Sequence, residues 1–173
     1  MNLRLISGIW AILFLALCLS TVEAQVIAIS AGKLVDPETG TTQSDQTIVI
    51  EDGRILSVGQ NPTIPAGAVK LDLSALTVLP GLFESHTHVG SAYDADNSSL
   101  LEYNVTISTA ERAIQSLVSA QDFLHSGFTT IRDLGNSGHF GDAALLRYLN
   151  SSQGRSSKVI GPTLFISGKI IAP

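Results

Sequence analysis

The sequence contains very little cysteine and few charged residues. A single cysteine, Cys18, occurs in 173 residues. With one thiol the chain cannot form an internal disulfide, so its stability must come from packing or from a bound metal. Charged residues make up only 14% of the chain, and the formal net charge of −5 comes without any block of lysine or arginine. This composition gives no support for a nucleic-acid partner.

Long apolar runs are also missing, apart from one at the N-terminus. Arg4 provides a basic start, residues 9–19 are almost entirely apolar, and residues 22–24 provide small residues for a cleavage site. The apolar run is well short of the roughly 20 residues that a membrane-spanning helix needs. We therefore expect residues 1–24 to be a signal peptide, with an uncleaved anchor as the alternative. Cleavage predicts a secreted or periplasmic protein without stable membrane insertion.

Residues 25–75 have the pattern of short β-strands separated by turns. Two β-prone runs, residues 47–51 and 54–59, are joined by Asp52-Gly53. This pair accepts the positive φ angles of a type I′ turn, so it predicts a β-hairpin. A β-unit of this size is marginal by itself, and we expect it to pack against another element.

Strand-like and helix-like segments alternate from residue 76 onward. Three segments have strand character: residues 76–89, with Pro80-Gly81 inside, residues 128–133 and residues 162–167. Two segments with helical spacing lie between them, residues 107–124 and 142–149. This order predicts parallel βαβ units. A closed barrel needs eight such units and an open sheet needs more strands than three, so we expect the chain to stop part-way through a larger domain.

The longer helical segment has a clear start and a clear stop. Ser108 and Glu111 form a Ser-x-x-Glu capping box, in which each side chain can bond a free backbone N–H of the first turn. Gly127 provides the stop signal, because glycine adopts the positive φ that commonly ends a helix.

The residues that carry chemistry are His86 and His88. They follow the sequence Leu79-Pro80-Gly81-Leu82-Phe83-Glu84-Ser85 at the end of the first predicted strand of the βαβ part. Side chains at i and i+2 of a strand point to the same side, so two imidazoles can hold one divalent cation. Two surface histidines on an edge strand would give the same pattern. A zinc site also usually needs three or four protein ligands.

The segment Leu79-Pro80-Gly81-Leu82-Phe83-Glu84-Ser85-His86-Thr87-His88 resembles the opening signature of the amidohydrolase superfamily, P-G-[LF]-[IV]-D-x-H-x-H. The hairpin at Asp52-Gly53 is similar to that family's small β-sandwich, and residues 127–135 are similar to the second barrel strand of its imidazolonepropionase-like and Xaa-Pro-dipeptidase-like branch. The resemblance implies an α/β fold: an incomplete TIM (β/α)8 barrel of three strands at residues 76–173, preceded by part of a β-sandwich at residues 25–75.

The resemblance also implies a function. His86 and His88 would bind a divalent metal, with zinc the expected ion, and the chain would be the N-terminal fragment of an enzyme that hydrolyses carbon-nitrogen bonds of an amide, cyclic amide or dipeptide. The family's other metal ligands and its catalytic aspartate come later than Pro173, so no catalytic residue is assigned. The alternative is an inactive truncated product or an incomplete gene model. Glu84 departs from the signature, which has aspartate at that position.

Four other polar residues are weaker candidates. Asp133 ends the second strand of the βαβ part, where it could bond a ligand or a neighbouring strand. Arg132 is expected to face outward or to pair with an acid. His125 falls in the last turn of its predicted helix, where a cation suits the helix dipole, so we assign it a structural role. His139 lies in a loop over the same edge of the sheet and is a candidate for substrate contact.

Overall fold

Residues 25–91, 106–135 and 140–169 are described by a computed structural model, and they belong to two units that divide after Leu79. The expected signal peptide and His139 lie outside the described residues, and the domain boundary expected at residues 75/76 stays a prediction. Within the described residues, no helix is long and apolar enough to cross a membrane.

The first unit is a four-stranded sheet. Its strands are β1 (Val26–Asp36), β2 (Thr41–Glu51), β3 (Arg54–Gly59) and β4 (Val69–Val78), in the order β3-β2-β1-β4. β1 pairs antiparallel with β2 and parallel with β4. Large apolar side chains of β3 and β4 remain exposed, among them Ile55, Leu56, Val69 and Leu76.

The hairpin predicted at Asp52-Gly53 is confirmed. β2 and β3 pair antiparallel, with Glu51 opposite Arg54. Asp52 has φ 48° and Gly53 has φ 75°, so both residues of the turn have the positive φ that a type I′ turn requires.

The strand expected at residues 76–89, with its interruption at Pro80-Gly81, is divided in the structure into two strands that belong to different sheets. β4 ends at Val78 in the first unit, and the next strand begins at Leu82 in a different sheet. Pro80 between them has no N–H to donate, so it cannot continue a strand ladder. Both strands carry exposed apolar side chains here: Leu76 is 57% exposed and Leu82 is 42% exposed.

The second unit is a parallel sheet with helices between its strands. In chain order it contains β5 (Leu82–Thr87), α1 (Thr109–His125), β6 (Phe128–Asp133), α2 (Gly141–Asn150), α3 (Ser152–Ser156) and β7 (Thr163–Ile166). The order in the sheet is β5-β6-β7, and both pairings are parallel. The predicted α/β class and the parallel βαβ arrangement are therefore confirmed. The short helix α3 was not predicted.

The predicted start and stop signals of the longer helix are confirmed, although the helix runs from Thr109 to His125 rather than over residues 107–124. The Ser108 hydroxyl accepts a hydrogen bond from the backbone N–H of Glu111 at 3.1 Å. After the last helical residue the chain turns at Gly127, whose φ is 94°. The side chains that α1 buries are Arg112, Ser116 and Ala120, which share one face at a spacing of four residues.

Ile131 of β6 is at the centre of the core of the second unit. Its side chain is fully buried and packs in one cluster with Val89, Ala120, Leu145 and Leu164. These residues come from the chain after β5, from α1, from α2 and from β7. One face of the sheet is therefore closed by the two longer helices.

Candidate metal centre

The two candidate ligands lie at the carboxyl end of β5. Thr87 is the last residue of this strand, so His86 precedes it and His88 follows it. Thr87 pairs with Asp133 of β6, and both are buried on the side of Ile131 and the helices. Because side chains alternate along a strand, His86 and His88 lie on the opposite, open face, and both are exposed.

The two imidazoles converge. The Nε2 atoms of His86 and His88 are 3.3 Å apart, and the rings meet edge to face with their centroids 5.2 Å apart. Two nitrogen ligands at roughly 2.0 to 2.1 Å from one tetrahedral zinc ion would be about 3.3 Å apart. The separation of the Nε2 atoms therefore fits joint binding of one ion.

The backbone carbonyl of Gly135 orients His88. The Nδ1 atom of His88 lies 3.0 Å from that oxygen, which can only accept a hydrogen bond. Nδ1 of His88 therefore carries the proton, and Nε2 of the neutral ring presents its lone pair toward His86. Gly135 has φ 153°, a backbone conformation that side-chain-bearing residues rarely adopt.

Glu84 acts on the backbone rather than on a histidine ring. Its Oε1 accepts a hydrogen bond from the backbone N–H of His86 at 3.0 Å. The glutamate that replaces the aspartate of the family signature thus fixes the main chain just before the two ligands.

Three hydrogen bonds connect the end of β6 to the segment that contains His86 and His88. Nε of Arg132 donates to the carbonyl of Ser85 at 2.9 Å, and the Thr87 hydroxyl donates to the carbonyl of Arg132 at 3.1 Å. The N–H of Leu134 donates to the carbonyl of Thr87 at 3.0 Å. The Arg132 side chain is exposed, and it bonds a backbone carbonyl rather than an acid.

Asp133 is the buried member of this set. Its side chain has no solvent exposure, and its Oδ1 accepts a hydrogen bond from the backbone N–H of Val89 at 3.1 Å. Its Oδ2 is buried without a hydrogen-bond partner. Asp133 thus bonds a neighbouring strand end, one of the two roles that the sequence indicated.

The surroundings of Asp133 favour its neutral form. Burial raises the pKa of the carboxyl to about 6. The hydrogen bond from Val89 opposes this rise, the charge of Asp142 adds to it, and His88 lowers the pKa again. Desolvation of a carboxylate that has one unpaired oxygen is the dominant cause.

The unfolding free energy of the metal-free chain is expected to fall as the pH rises from about 4 to about 6. The pKa of Asp133 is about 6 in the folded chain against an ordinary value of 3.8, so the folded state holds this proton more tightly. Ionisation therefore costs at most about 3 kcal/mol, a cost that is absent below the lower pKa and complete above the higher one. Urea unfolding across this pH range, with Asp133→Asn as reference, measures it. A constant difference between the two proteins would contradict the raised pKa.

The remaining ligands of a complete site are not found in the described part of the chain. Residues 25–91, 106–135 and 140–169 contain no group of three or more histidine, cysteine, aspartate or glutamate side chains that could hold a metal ion. His125 is exposed at the end of α1, away from β5 in sequence and on a different element. The described residues therefore provide two converging imidazoles and no third ligand.

In parallel α/β folds the carboxyl ends of the strands are the usual place of the active site, and His86 and His88 converge at that edge of the sheet. Comparison of the sequence with curated proteins finds relatives among enzymes that act on carbon-nitrogen bonds. The chain is 29% identical over 111 residues to a dihydroorotase of Citrifermentans bemidjiense, a match that covers 64% of this chain and 22% of the relative. It is 31% identical over 111 residues to a 5'-deoxyadenosine deaminase of Methanosarcina acetivorans, covering 58% of this chain and 25% of the relative. No protein-family model matches the chain.

Solved structures give the same result for the fold. A Xaa-Pro dipeptidase with methionine bound in its active site superposes with a TM-score of 0.72 at 31% identity, covering 86% of this chain and 34% of that one. A molinate hydrolase superposes with a TM-score of 0.69 at 25% identity, covering 86% of this chain and 31% of that one. These similarities confirm the resemblance to the amidohydrolase superfamily: the chain is similar to a dihydroorotase, a deaminase, a Xaa-Pro dipeptidase and a molinate hydrolase. It spans only 22% to 34% of the length of these four proteins.

Proposed function

We propose that this chain contributes the first two metal ligands, His86 and His88, to a hydrolase that cleaves carbon-nitrogen bonds. The observation that carries the proposal is the 3.3 Å separation of the two Nε2 atoms. The similarity to a dihydroorotase and to a Xaa-Pro dipeptidase supports a small-molecule or dipeptide substrate. Zinc is the ion we propose, because imidazole pairs at this spacing suit it.

The protein's own residues bind and orient in this proposal. When bound, a divalent metal supplies Lewis acidity: it lowers the pKa of water and polarises a carbonyl. His86 and His88 hold the ion through Nε2 and transfer no proton. Gly135 keeps His88 in the required tautomer, and Glu84 fixes the main chain at His86. No residue of this chain is assigned as the general base.

The finer details of the fold belong to the same proposal. We take β5, β6 and β7 as the first three strands of an incomplete TIM barrel, and β1 to β4 as part of a small β-sandwich. Parallel sheets are normally covered on both faces, whereas Phe165 of β7, the neighbour of Arg132 in the sheet, is 54% exposed. The exposed apolar side chains of β3 and β4 support a missing second layer of the sandwich.

Export is part of the proposal as well. The apolar segment at residues 9–19, followed by a cleavage site at residues 22–24, predicts removal of residues 1–24 and a secreted or periplasmic protein. Expression of the full chain in a secreting host, with mass spectrometry of the exported product, tests it. A mature N-terminus at Gln25 is expected, and retention of the uncleaved chain in the membrane would contradict cleavage.

Removal of both imidazoles is expected to weaken zinc binding at least about 100-fold. Loss of an outer partner of a metal ligand typically costs about 10- to 100-fold in affinity, and loss of the ligands themselves costs more. Calorimetric titration of the chain and of the His86→Ala/His88→Ala variant with zinc chloride measures the change.

His125→Ala is the matched control, because His125 is also exposed and lies on another element. This variant is expected to bind zinc like the unaltered chain. Equal zinc affinity in the double variant and in the unaltered chain would refute the assignment. Zinc binding without hydrolysis of any Xaa-Pro dipeptide would instead favour the alternative of an inactive product.

A further inference from the structure

Asp133 makes a contact that the proposed chemistry does not use. It is fully buried, and its Oδ1 accepts the N–H of Val89, the residue that directly follows His88. Gly135, two residues after Asp133, provides the backbone carbonyl to which the His88 ring donates. His88 is therefore held from two points: through its ring by Gly135, and through the next peptide by Asp133.

We propose that Asp133 is a positioning residue for the candidate metal centre, which sets the direction of the His88 imidazole by holding the backbone at Val89. This role rests on the proposed function of His86 and His88 as metal ligands. The peptide between His88 and Val89 determines where the Cα–Cβ bond of His88 points. A side chain that fixes that peptide therefore affects the distance between the two Nε2 atoms.

The cost of this contact indicates a role beyond folding. The Oδ2 atom of Asp133 is buried without a partner, and Asp142 is close enough for its charge to disfavour an ionised Asp133. A buried carboxylate with an unpaired oxygen lowers the free energy of unfolding. Such violations of the local rules of stability are expected at functional sites.

Asp142 provides a matched comparison. It is also fully buried, and its Oδ2 accepts the backbone N–H of Gly168 after β7 at 2.9 Å. Its Oδ1 accepts the N–H of Ala143 at 2.8 Å. Asp142 thus fixes a strand end in the same way, but at β7 rather than at β5, which carries the histidines.

The test is zinc titration of four proteins: the unaltered chain, Asp133→Ala, Asp133→Asn and Asp142→Ala. Asp133→Ala removes the acceptor for Val89 and is expected to weaken zinc binding about 10- to 100-fold. Asp133→Asn keeps an acceptor oxygen, and its zinc affinity is expected to stay within about threefold of that of the unaltered chain. The same is expected of Asp142→Ala. Circular dichroism verifies that each variant is folded.

Cobalt substitution adds a readout that a purely structural role would not change. At saturating Co²⁺ the visible absorption of the Asp133→Ala variant is expected to differ in position and intensity from that of the unaltered chain and of Asp142→Ala, because the ligand field depends on the direction of His88. Zinc affinity that is unchanged in Asp133→Ala, or equally weakened in Asp142→Ala, overturns the role of Asp133. If Asp133→Ala does not fold, the zinc affinity of Asp133→Asn provides the test. This variant still has an acceptor for the N–H of Val89, so a tenfold or greater loss of zinc affinity in it overturns the proposal.

These outcomes are distinct from failure of the metal centre itself. Equal zinc affinity in His86→Ala/His88→Ala and in the unaltered chain overturns both the centre and the role of Asp133. Weakened binding in the histidine variant, together with unchanged binding and an unchanged cobalt spectrum in Asp133→Ala, overturns the role of Asp133 alone.

Discussion

Substitution of Gly81 by alanine is expected to lower the unfolding free energy of the second unit by about 3 kcal/mol, the upper end of the usual cost of overpacking. A Cβ atom at Gly81 would lie 2.1 Å from Oγ1, 2.3 Å from Cγ2 and 2.7 Å from Cβ of Thr129. Thr129 is a short β-branched side chain, so rotation about χ1 cannot remove all three overlaps. β5 begins at the next residue, where the N–H of Leu82 donates to the Gly127 carbonyl at 2.8 Å. The clash therefore displaces the strand that carries His86.

Chemical unfolding of a double-mutant cycle measures this effect. Thr129→Gly alone costs about 0.5 to 1 kcal/mol, because glycine is unfavourable within a strand. In the Gly81→Ala/Thr129→Gly variant all three overlaps are gone, so the two substitutions together are expected to cost less than Gly81→Ala alone. If the losses of unfolding free energy in the two single variants simply add in the double variant, the close approach of Thr129 is not what requires glycine at position 81. The Pro-Gly pair of the sequence signature then has a physical reason. Pro80 cannot extend the ladder of β4, and Gly81 leaves room for Thr129 of β6, the strand that pairs with β5.

Local signals of the sequence predicted local structure well. The Asp52-Gly53 hairpin depends on the φ angles of two adjacent residues, and the cap at Ser108 depends on one hydrogen bond three residues away. Few neighbours influence such features, so the sequence alone determines them. The alternation of strands and helices from β5 to β7 was predictable from local periodicity, and the parallel pairing followed from the rule that parallel strands are joined through a crossover helix.

Features that depend on distant parts of the chain were not predictable. β1 pairs in parallel with β4, which places Ile27 beside Val69, and no local pattern specifies that partner. The sequence also did not predict which face of α1 is buried: Ile114 and Val118 have the helical spacing of core residues but are 66% and 51% exposed. Which face of an amphipathic helix is buried depends on the elements around it.

The candidate site shows the same division. His86 and His88 are two residues apart, so strand geometry alone predicts that their rings meet. The contacts that orient them connect residues far apart: Asp133 to Val89 spans 44 residues, and Gly135 to His88 spans 47. The sequence could suggest that Asp133 lies at the edge of the sheet, but not which N–H it accepts.

Truncation of Ile131 to alanine is expected to cost about 4 kcal/mol of unfolding free energy, within the range measured for buried isoleucine residues. Ile131 is fully buried, and its side chain is the point where both longer helices and β7 meet the middle strand. The cavity left by alanine removes contacts with Ala120, Leu145 and Leu164 at once, and Ile131→Val should cost only about 0.5 to 1.5 kcal/mol.

Ile114→Ala is the matched control for this substitution, because it removes the same atoms from a position that is 66% exposed. It is expected to cost less than about 1 kcal/mol, since little apolar area leaves or enters water there. Urea unfolding of the three variants beside the unaltered chain measures the differences. Equal losses in Ile131→Ala and Ile114→Ala would mean that the outer face of α1 is also covered and that the core is not confined to the cluster around Ile131. A loss confined to Ile131 would instead show that the second unit is stabilised by the packing of its middle strand, which also carries Asp133, against the two longer helices.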